Sequence, residues 1–218
     1  MTVFVFDAYG TLFDVHSAVG RYRSEAGPDA DRISDLWRIK QLEYTWTLTL
    51  VGKYEDFWVL TERALDYALA RFPSANMTLR HEYLEAYRSL DAYPDARTTV
   101  AALRARGLKT AILSNGSPKM LDAAVTAAGM SREFDALLSV DSVKMFKPRM
   151  EVYRLATEAL NVAPEEVVFA SSNRWDVMGA RAFGFRPVWI NRAGMPEEYP
   201  DLAPVKVVRD LSGLMDID

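Results

Sequence analysis

Residues 3–14 read Val-Phe-Val-Phe-Asp-Ala-Tyr-Gly-Thr-Leu-Phe-Asp. The β-branched and aromatic run over residues 3–6 is typical of a strand buried on both faces, as the strands of parallel sheets are. Asp7 follows this strand directly, and Gly10 and Thr11 then turn the chain. Ligands and catalytic groups collect at the carboxyl ends of strands in open α/β sheets, so Asp7 is a candidate nucleophile. A turn or helix-capping aspartate is an equally good interpretation of this stretch taken alone.

The composition is that of an ordinary globular protein. The chain has 218 residues, of which 50% are hydrophobic and 26% are charged, enough for one large domain or a core with an insert. The net charge of −4 argues against nucleic acid or an acidic membrane as a partner. The absence of cysteine excludes disulfides, thiolate metal sites and a cysteine nucleophile. His16 and His81 lie too far apart to suggest a histidine zinc site.

Neither a membrane segment nor a targeting segment is visible in the sequence. No apolar stretch approaches the roughly 18 residues that a membrane helix needs, and the chain begins with a strand rather than a signal peptide. We therefore expect a cytoplasmic protein that makes no contact with membranes.

Residues 15–90 contain no convincing strand pattern and are predicted to be helical. Apolar residues recur with the period of an amphipathic helix over 31–51 and, almost without fault, over 57–72. A further helix is predicted over 79–90. An all-helical segment of this length after the first strand is expected to form a cap, or lid, over the rest of the protein.

From residue 93 onward, strand and helix patterns alternate. Short apolar runs predict strands over 108–113, 136–140, 167–170, 187–190 and 205–208. Alternation with helices of ordinary length predicts right-handed βαβ units, and therefore a parallel sheet. The predicted fold is α/β, with a doubly wound, Rossmann-like parallel sheet core that is discontinuous over residues 1–14 and 91–218. The all-helical cap is inserted over residues 15–90.

Four polar clusters fall at the carboxyl ends of predicted strands or at the helix starts beside them. Asp7 ends the first strand, and residues 114–116 (Ser-Asn-Gly) end the next, where helix N–H groups can hold an anion. Residues 147–148 (Lys-Pro) precede a helix, and the run 171–176 (Ser-Ser-Asn-Arg-Trp-Asp) opens another. Each has a plain alternative: a turn, a helix cap, a solvated lysine or, for Asp176, a helix-dipole carboxylate rather than a second catalytic acid. Because the clusters share one edge of the sheet, we expect them to form one site.

Together these residues resemble the four motifs of the haloacid dehalogenase superfamily, in order and over nearly the whole chain. The motifs are residues 7–14, 114–116, 147–148 and 171–176. Within the cap, Trp37-Arg38 and the run 40–46 (Lys-Gln-Leu-Glu-Tyr-Thr-Trp) further resemble the (S)-2-haloacid dehalogenase, or type II, branch. Ile39 departs from that pattern, because close relatives commonly carry glutamine there, and is a position at which substrate range can differ.

Most members of the superfamily are phosphatases, so an Mg²⁺-dependent phosphatase of the same fold is the main alternative. Such phosphatases carry a further aspartate in the first motif and another in the last, and these hold Mg²⁺. Tyr9 and Ser172 stand at those positions here, which leaves Asp7 and Asp176 as too few anionic ligands for an octahedral oxygen site. Without a metal, Asp7 repels a phosphate dianion but not a neutral carbon that bears a halogen. We therefore expect carbon chemistry, no bound metal and no cofactor.

The resemblance implies a two-step displacement. Asp7 attacks C2 of an (S)-2-haloalkanoic acid, releases halide and forms an ester, which water hydrolyses to an (R)-2-hydroxyalkanoic acid. A non-catalytic, small-anion-binding protein of the same fold is the second alternative, and the intact set of Asp7, Lys147 and Asp176 argues against it. The expected partner is thus a small 2-haloacid. Relatives that dimerise through the cap also leave a homodimer open.

The same resemblance assigns the site residues. The implied catalytic residues are Asp7, Thr11, Arg38, Lys147, Tyr153, Ser171, Asn173 and Asp176. The implied substrate-binding residues are Tyr9, Arg38, Leu42, Phe57, Ser114, Asn115 and Trp175. Among these, Arg38, Asn115 and Trp175 are expected to cradle the halide, since a guanidinium, an amide and an indole edge all favour an anion.

Within the catalytic set, Lys147 is expected to keep Asp7 ionised and to be fixed by Tyr153 and Ser171. Asp176 is expected to orient or activate the hydrolytic water. Two further side chains are expected to help position that water: Asn173 and Thr11. Ser114 is expected to hold the substrate carboxylate together with nearby backbone N–H groups. Three side chains are expected to line an apolar pocket that dries the site: Tyr9, Leu42 and Phe57.

The motif comparison predicts that dehalogenation survives complete chelation. Tyr9 and Ser172 leave the site short of the carboxylates that would bind Mg²⁺, so EDTA has nothing essential to remove. Halide release from (S)-2-chloropropionate is measured after dialysis against EDTA, with a mock-dialysed sample as the control. Activity that is lost in EDTA and restored by Mg²⁺ would contradict the prediction.

Overall fold

A six-stranded parallel sheet forms the centre of the computed structural model, which describes residues 2–217. The strands are β1 (Val3–Phe6), β2 (Lys109–Ser114), β3 (Ala136–Ser139), β4 (Val167–Ser171), β5 (Arg186–Ile190) and β6 (Lys206–Val208). Their order is β3-β2-β1-β4-β5-β6, that of a doubly wound, Rossmann-like sheet, and the predicted fold class is confirmed. Met1 and Asp218, the outermost residues of the predicted core, lie outside the described residues.

The strand ends differ from the predicted ones by at most one residue, and two of these differences matter for the site. Ser114 and Ser171 belong to β2 and β4 rather than to the turns that follow. They pair in register with Ser139 and Trp189 of the neighbouring strands. The backbone ladder does not depend on apolar side chains, so it continues through these polar residues. Both serines are therefore held as firmly as the sheet itself.

β1 occupies the middle of the sheet, with β2 on one side and β4 on the other. All four of its residues are buried, and Phe6 lies in register with Ile112 and Ala170. Asp7 comes next and donates its backbone N–H to the Ala170 carbonyl at 2.9 Å. The chain runs from β1 to β2 and β3 on one side of the sheet and then crosses to β4 on the other side of β1. Asp7 therefore lies at the crevice where ligands bind in folds of this kind.

Between β1 and the remaining strands, the described residues form helices and no strand. These helices are α1 (Ser17–Gly20), α2 (Arg23–Ala26), α3 (Ala30–Leu50), α4 (Phe57–Arg71) and α5 (Arg80–Arg88). The last three match the predicted helices to within two residues at each end. The sequence pattern missed α1 and α2, because four residues are too few to show a 3.6-residue period. The division into a core and a cap at residues 15 and 90 stays a prediction.

Helix α3 has two faces with different neighbours. One face consists of buried residues four apart: Ile33, Trp37, Gln41 and Thr45. Trp37 of this face donates its indole N–H to the carbonyl of Thr61 in α4 at 2.8 Å. The adjacent face lies one position further along the sequence: Arg38, Leu42 and Trp46. Since side chains four apart share one side of a helix, the first face packs on α4 and leaves the second for the sheet edge.

The far end of α3 is tied to the segment that precedes Lys147. Tyr54 donates its hydroxyl to Asp141 at 2.9 Å, and its ring stacks on Phe146 at 5.1 Å. The backbone N–H of Phe146 donates to the Thr49 hydroxyl at 3.3 Å. These contacts hold the end of α3 above the carboxyl edge of the sheet.

The remaining helices connect the strands. They are α6 (Ala96–Ala105), α7 (Pro118–Ala127), α8 (Met150–Leu160) and α9 (Arg174–Phe183). Short 3₁₀ turns cover Met77–Leu79, Val140–Ser142, Pro164–Glu166, Pro200–Leu202 and Leu211–Asp216. Helix α9 is followed by Gly184, which caps its C-terminus with a φ of 108°. Glycine adopts this backbone conformation without strain. Within residues 2–217, no helix is long and apolar enough to cross a bilayer.

Candidate active site

The Asp7 carboxylate is the centre of a dense hydrogen-bond network at the end of β1. Its Oδ2 atom accepts from Thr11 Oγ1 at 3.0 Å, from Asn173 Nδ2 at 2.7 Å and from Ser171 Oγ at 3.3 Å. Its Oδ1 atom accepts from Lys147 Nζ at 3.1 Å. Only 6% of Asp7 is exposed. Four donors from three parts of the chain therefore hold this carboxylate in one orientation.

Lys147 is a buried cation that bridges two carboxylates. Its Nζ atom lies 3.1 Å from Asp7 Oδ1 and 2.7 Å from Asp176 Oδ2, and 1% of the residue is exposed. Burial by itself lowers the pKa of Lys147, but the facing charges of Asp176 and Asp7 outweigh burial and leave the pKa raised. Lys147 thus remains charged and compensates both carboxylates.

Asp176 lies behind Lys147 and is wholly buried. Burial, with a further contribution from the negative charge of Asp7, raises the pKa of Asp176 to about 6, although Lys147 and Tyr153 both act to lower it. Its Oδ1 atom accepts a hydrogen bond from the Tyr153 hydroxyl at 2.7 Å. Asp176 therefore lies where it can hold Lys147 in place, and Lys147 separates it from Asp7.

Two of the predicted contacts of Lys147 differ in the structure. Tyr153, expected to fix Lys147, donates to Asp176 instead, and Ser171 donates to Asp7. Tyr153 is also fully buried and packs edge-on against Phe169, with ring centres 5.9 Å apart. Both residues thus act on Lys147 only through one of its two carboxylate partners.

A narrow cavity of about 220 Å³ opens beside Asp7. It is lined by Asp7, Tyr9, Arg38, Leu42, Phe57, Ser114, Asn115, Asn173 and Trp175. All seven residues expected to bind substrate are among them, and they come from both the sheet edge and the helices α3 and α4. Of the expected catalytic residues, Asp7, Arg38 and Asn173 line the cavity. The remaining five surround Asp7 from behind: Thr11, Lys147, Tyr153, Ser171 and Asp176.

Arg38 brings a positive charge from α3 to the mouth of β1. Its guanidinium donates to the Tyr9 carbonyl at 3.0 Å and to Asn173 Oδ1 at 3.4 Å. It also donates to Gln41 Oε1 at 2.8 Å. Gln41 is buried and is itself held by Tyr87, whose hydroxyl lies 3.0 Å from Gln41 Nε2. Hydrogen bonds to Tyr9, Asn173 and Gln41 therefore fix the orientation of the guanidinium.

Sequence reasoning missed Gln41 as a site residue. The signal was present, because Gln41 follows Arg38 by three positions, a spacing at which helix side chains meet. Sequence reasoning also missed Gly179, where an added Cβ would overlap the Tyr153 hydroxyl and come within 2.7 Å of Pro148. No local pattern identifies Gly179, because the clash is with a different helix.

The apolar part of the cavity is made of aromatic rings. Tyr9 stacks on Tyr87 with ring centres 5.8 Å apart and lies 6.0 Å from Phe57. Burial raises the pKa of Tyr9 well above its ordinary value, so the phenol stays neutral. A Cβ on Gly116 would come within 2.6 Å of the Tyr9 ring, so only glycine allows this approach.

Two groups at the end of β2 complete the cavity. Ser114 accepts the Gly116 backbone N–H at 3.0 Å, which fixes its hydroxyl. Asn115 accepts the Lys147 backbone N–H on its Oδ1 atom at 3.0 Å, so its NH₂ group remains as a donor at the cavity wall. Both side chains can thus donate to an anion.

The side chains around Asp7 do not provide the ligands that a divalent cation needs. No group of three or more acidic or histidine side chains suited to a metal occurs within residues 2–217. Asp7 and Asp176 approach the same point, but the ammonium of Lys147 already lies between them. An octahedral Mg²⁺ needs several oxygen ligands around an open position, which this arrangement lacks.

The chain is similar to known proteins along most of its length. Residues 1–184 match the haloacid dehalogenase-like hydrolase family. The chain is 51% identical to (S)-2-haloacid dehalogenase 1 of Pseudomonas sp. (strain CBS-3), over 89% of this chain and 86% of that one. A dehalogenase crystal structure superposes with a TM-score of 0.96 at 46% identity, covering 100% of this chain and 97% of the other.

A second solved structure carries a covalently bound acid. It is the L-2-haloacid dehalogenase of Xanthobacter autotrophicus with chloropropionic acid covalently bound. The TM-score is 0.90 at 39% identity, over 98% of this chain and 97% of that one. By sequence and by structure, the chain belongs to the haloacid dehalogenase-like hydrolase family, in its (S)-2-haloacid dehalogenase branch.

Proposed function

We propose that the protein hydrolyses (S)-2-haloalkanoic acids to (R)-2-hydroxyalkanoic acids and halide, through an ester formed on Asp7. The observation that carries this proposal is the Asp7 carboxylate, which faces a narrow cavity and is held by four donors. The relatives named (S)-2-haloacid dehalogenase support the substrate class. The relative with covalently bound chloropropionic acid supports the ester intermediate.

In the first step, an Asp7 oxygen attacks C2 from the side opposite the halogen. The C–O bond forms as the carbon–halogen bond breaks, and halide leaves with the bonding electron pair. Oδ1 is the better nucleophile, because it accepts one hydrogen bond, from Lys147, whereas Oδ2 accepts three. Attack by a fixed carboxylate has one direction of approach, so one enantiomer reacts and C2 inverts.

The leaving halide is received by Arg38, Asn115 and Trp175. All three line the cavity, and Arg38 supplies the only full positive charge among the lining residues. The Asn115 amide donates a hydrogen bond, and the indole edge is weakly positive. Charge develops on the halogen as the bond breaks, so these groups stabilise the transition state more than the neutral halogen of the substrate.

The rest of the cavity orients the substrate and keeps it dry. Ser114 and adjacent backbone N–H groups bind the substrate carboxylate. Tyr9, Leu42 and Phe57 enclose C2 and its alkyl substituent in apolar surroundings. Exclusion of bulk water strengthens the attraction between the polar groups and the leaving anion.

In the second step, water attacks the carboxyl carbon of the Asp7 ester and the bond from that carbon to the substrate oxygen breaks. The (R)-2-hydroxyalkanoate leaves with one proton of the water, the other proton is released, and the Asp7 carboxylate is regenerated. Thr11, Ser171, Asn173 and Lys147 donate to the Asp7 oxygens, and the same donors can stabilise negative charge on the tetrahedral intermediate. Asp176 acts in this proposal by holding Lys147 in place and by orienting the water that Asn173 and Thr11 help to position.

An Mg²⁺-dependent phosphatase has less support than this reaction. Lys147 lies between Asp7 and Asp176, and Tyr9 lines the cavity beside Asp7. A phosphate dianion in the cavity would face Asp7, and among the residues that line the cavity only Arg38 would supply a compensating positive charge. A homodimer and a cytoplasmic location stay predictions from the sequence.

A single-turnover experiment in ¹⁸O water tests the ester. With enzyme in excess over (S)-2-chloropropionate, the product hydroxyl oxygen comes from Asp7, and solvent oxygen enters Asp7 when the ester is hydrolysed. We expect unlabelled (R)-lactate after one turnover and label in the peptide that contains Asp7, both measured by mass spectrometry. Labelled lactate in the first turnover would show direct attack by water.

A matched variant supports this experiment. Asp7→Asn keeps the size of the side chain but replaces the nucleophile by an amide, so we expect no halide release. Circular dichroism of the variant checks that the fold is kept. For the wild-type enzyme acting on racemic 2-chloropropionate, chiral chromatography should show (R)-lactate as the product and (R)-2-chloropropionate left unreacted.

Gln41→Leu is expected to weaken catalysis although Gln41 lies outside the cavity. The change removes the acceptor of one Arg38 N–H, so the guanidinium loses a charged hydrogen bond and its fixed orientation. A loss of about tenfold in kcat/KM is expected, the usual effect of such a bond. Lys40→Leu is the control, because Lys40 pairs with Glu43 and lies over the Tyr67 ring, and neither residue lines the catalytic cavity. Equal activities of the two variants would remove Gln41 from the positioning of Arg38.

The pH profile is expected to have an acidic limb set by Asp176. Above a pKa of about 6 the carboxylate is ionised and holds Lys147, and below it the carboxylate gains a proton and that attraction weakens. We therefore expect kcat/KM to fall about tenfold per pH unit below pH 6. Asp176→Asn should be impaired and should lack this limb. A profile that is flat down to pH 5, with the fold intact by circular dichroism, would contradict the assignment.

A further inference from the structure

A second and larger cavity lies on the outer side of Trp175. Its volume, counted together with the solvent at its open mouth, is about 740 Å³, against about 220 Å³ for the cavity beside Asp7. It is lined by Trp46, Thr49, Leu50, Lys147, Pro148, Arg149, Trp175, Met178 and Tyr199. The mechanism proposed above uses only Trp175 and Lys147 of these residues. We refer to it as the outer cavity.

The outer cavity continues the surface that lines the catalytic cavity. On α3, the residues at successive intervals of four pass from one cavity to the other: Arg38, Leu42, Trp46 and Leu50. On α9, Trp175 lines both cavities, and Met178, three residues on, lines the outer one. Trp46 and Trp175 meet edge to face at 5.4 Å where the two cavities adjoin. Two helices thus carry one apolar surface outward from Asp7.

The chemistry of the outer cavity suits an apolar ligand rather than an anion. Its cations are already paired: Lys147 with Asp7 and Asp176, and Arg149 with Glu151 at 2.6 Å. Most of the other walls are indole, thioether and aliphatic side chains. The gain on binding would therefore come from removing hydrocarbon from water.

The wall opposite α3 is fixed by a buried arginine. Arg174 donates to the backbone carbonyls of Tyr199 and Leu202 at 2.8 and 3.1 Å and to the Glu197 carboxylate at 2.6 Å. Only 4% of Arg174 is exposed. Tyr199 is thus held in position as a wall, so a ligand does not have to order it on binding.

We infer that the outer cavity receives the alkyl tail of 2-haloalkanoic acids longer than the small cavity can hold, and that it sets chain-length selectivity. This inference rests on the proposed function. The catalytic cavity takes the carboxylate, the halogen, C2 and a short substituent. A longer tail leaves this space past Trp175 and lies between Trp46, Leu50 and Met178.

A series of (S)-2-bromoalkanoates from propionate to octanoate tests the inference by bromide release. A methylene that is buried on binding is worth about fourfold in affinity, so kcat/KM should hold or rise with chain length. A fall of more than about tenfold between propionate and hexanoate would overturn the inference, because about three extra methylenes would then have found no apolar site.

Two adjacent residues provide a matched pair of variants. Both side chains are exposed, Leu50 by 85% and Val51 by 68%, but only Leu50 lines the outer cavity. Leu50→Asp is expected to lower the ratio of kcat/KM for 2-bromohexanoate over 2-bromopropionate about tenfold. Val51→Asp adds the same charge and should leave this ratio unchanged. Both variants should turn over 2-bromopropionate like the wild type. Equal ratios in the two variants would overturn the inference.

Filling the cavity gives an independent test. Met178→Trp replaces a thioether by an indole in the path of the tail, so the ratio should fall without a charge being introduced. A ratio that stays at the wild-type value would count against the inference. If Leu50→Asp instead lowers the sedimentation mass and leaves the ratio unchanged, the surface is a contact between copies and the inference is wrong.

Binding of unreactive acids separates this inference from the proposed function. Octanoate should change the tryptophan fluorescence of the wild type at lower concentration than propionate does, and Leu50→Asp should remove that difference. Turnover of 2-bromopropionate without any effect of these variants rejects the outer cavity alone. If no 2-haloacid is turned over, the proposed function fails, and equal binding of octanoate and propionate then rejects the outer cavity as well.

Discussion

The site depends on one buried cation, Lys147, held between the carboxylates of Asp7 and Asp176. A buried charge without a partner is costly, whereas here the ammonium lies 3.1 and 2.7 Å from the two carboxylates and compensates both. The three residues come from the end of β1, the loop before α8 and the first turn of α9. The interaction therefore requires that these segments are already in place around the sheet. Folding of the core and assembly of the nucleophile's surroundings are the same event.

The balance of charge around Asp7 suits a substrate with a single negative charge. The two carboxylates are matched by Lys147, which lies between them, and by Arg38, which lines the cavity beside Asp7, so little positive charge is left over. A 2-haloalkanoate adds one carboxylate and releases one halide, for which Arg38 and neutral donors suffice. A phosphate dianion would need a further cation, and the position between Asp7 and Asp176 is taken by Lys147. The arrangement thus favours carbon over phosphorus as the electrophile.

Helix α3 links this charged centre to the surrounding apolar surfaces. Its buried face packs on α4, and its adjacent face carries Arg38, Leu42 and Trp46 towards the sheet edge. Because α9 presents Trp175 from the opposite side, the two helices enclose both the catalytic cavity and the larger outer cavity. Any change in the position of α3 on the core would therefore alter the halide site and the outer cavity together.

The sequence by itself determined the strands, the long helices and the motif residues around Asp7, because burial and helical period leave local patterns. Runs of apolar residues mark buried strands wherever they pack, and polar residues at strand ends meet at one edge of a parallel sheet. Only the tertiary structure decided that Tyr153 contacts Asp176 rather than Lys147, and that Gln41 orients Arg38. It also decided that Trp46 meets Trp175, the residue that lines both cavities. Apart from the neighbours Gln41 and Arg38, these contacts join distant segments, and a local pattern carries no information about the distance between such segments.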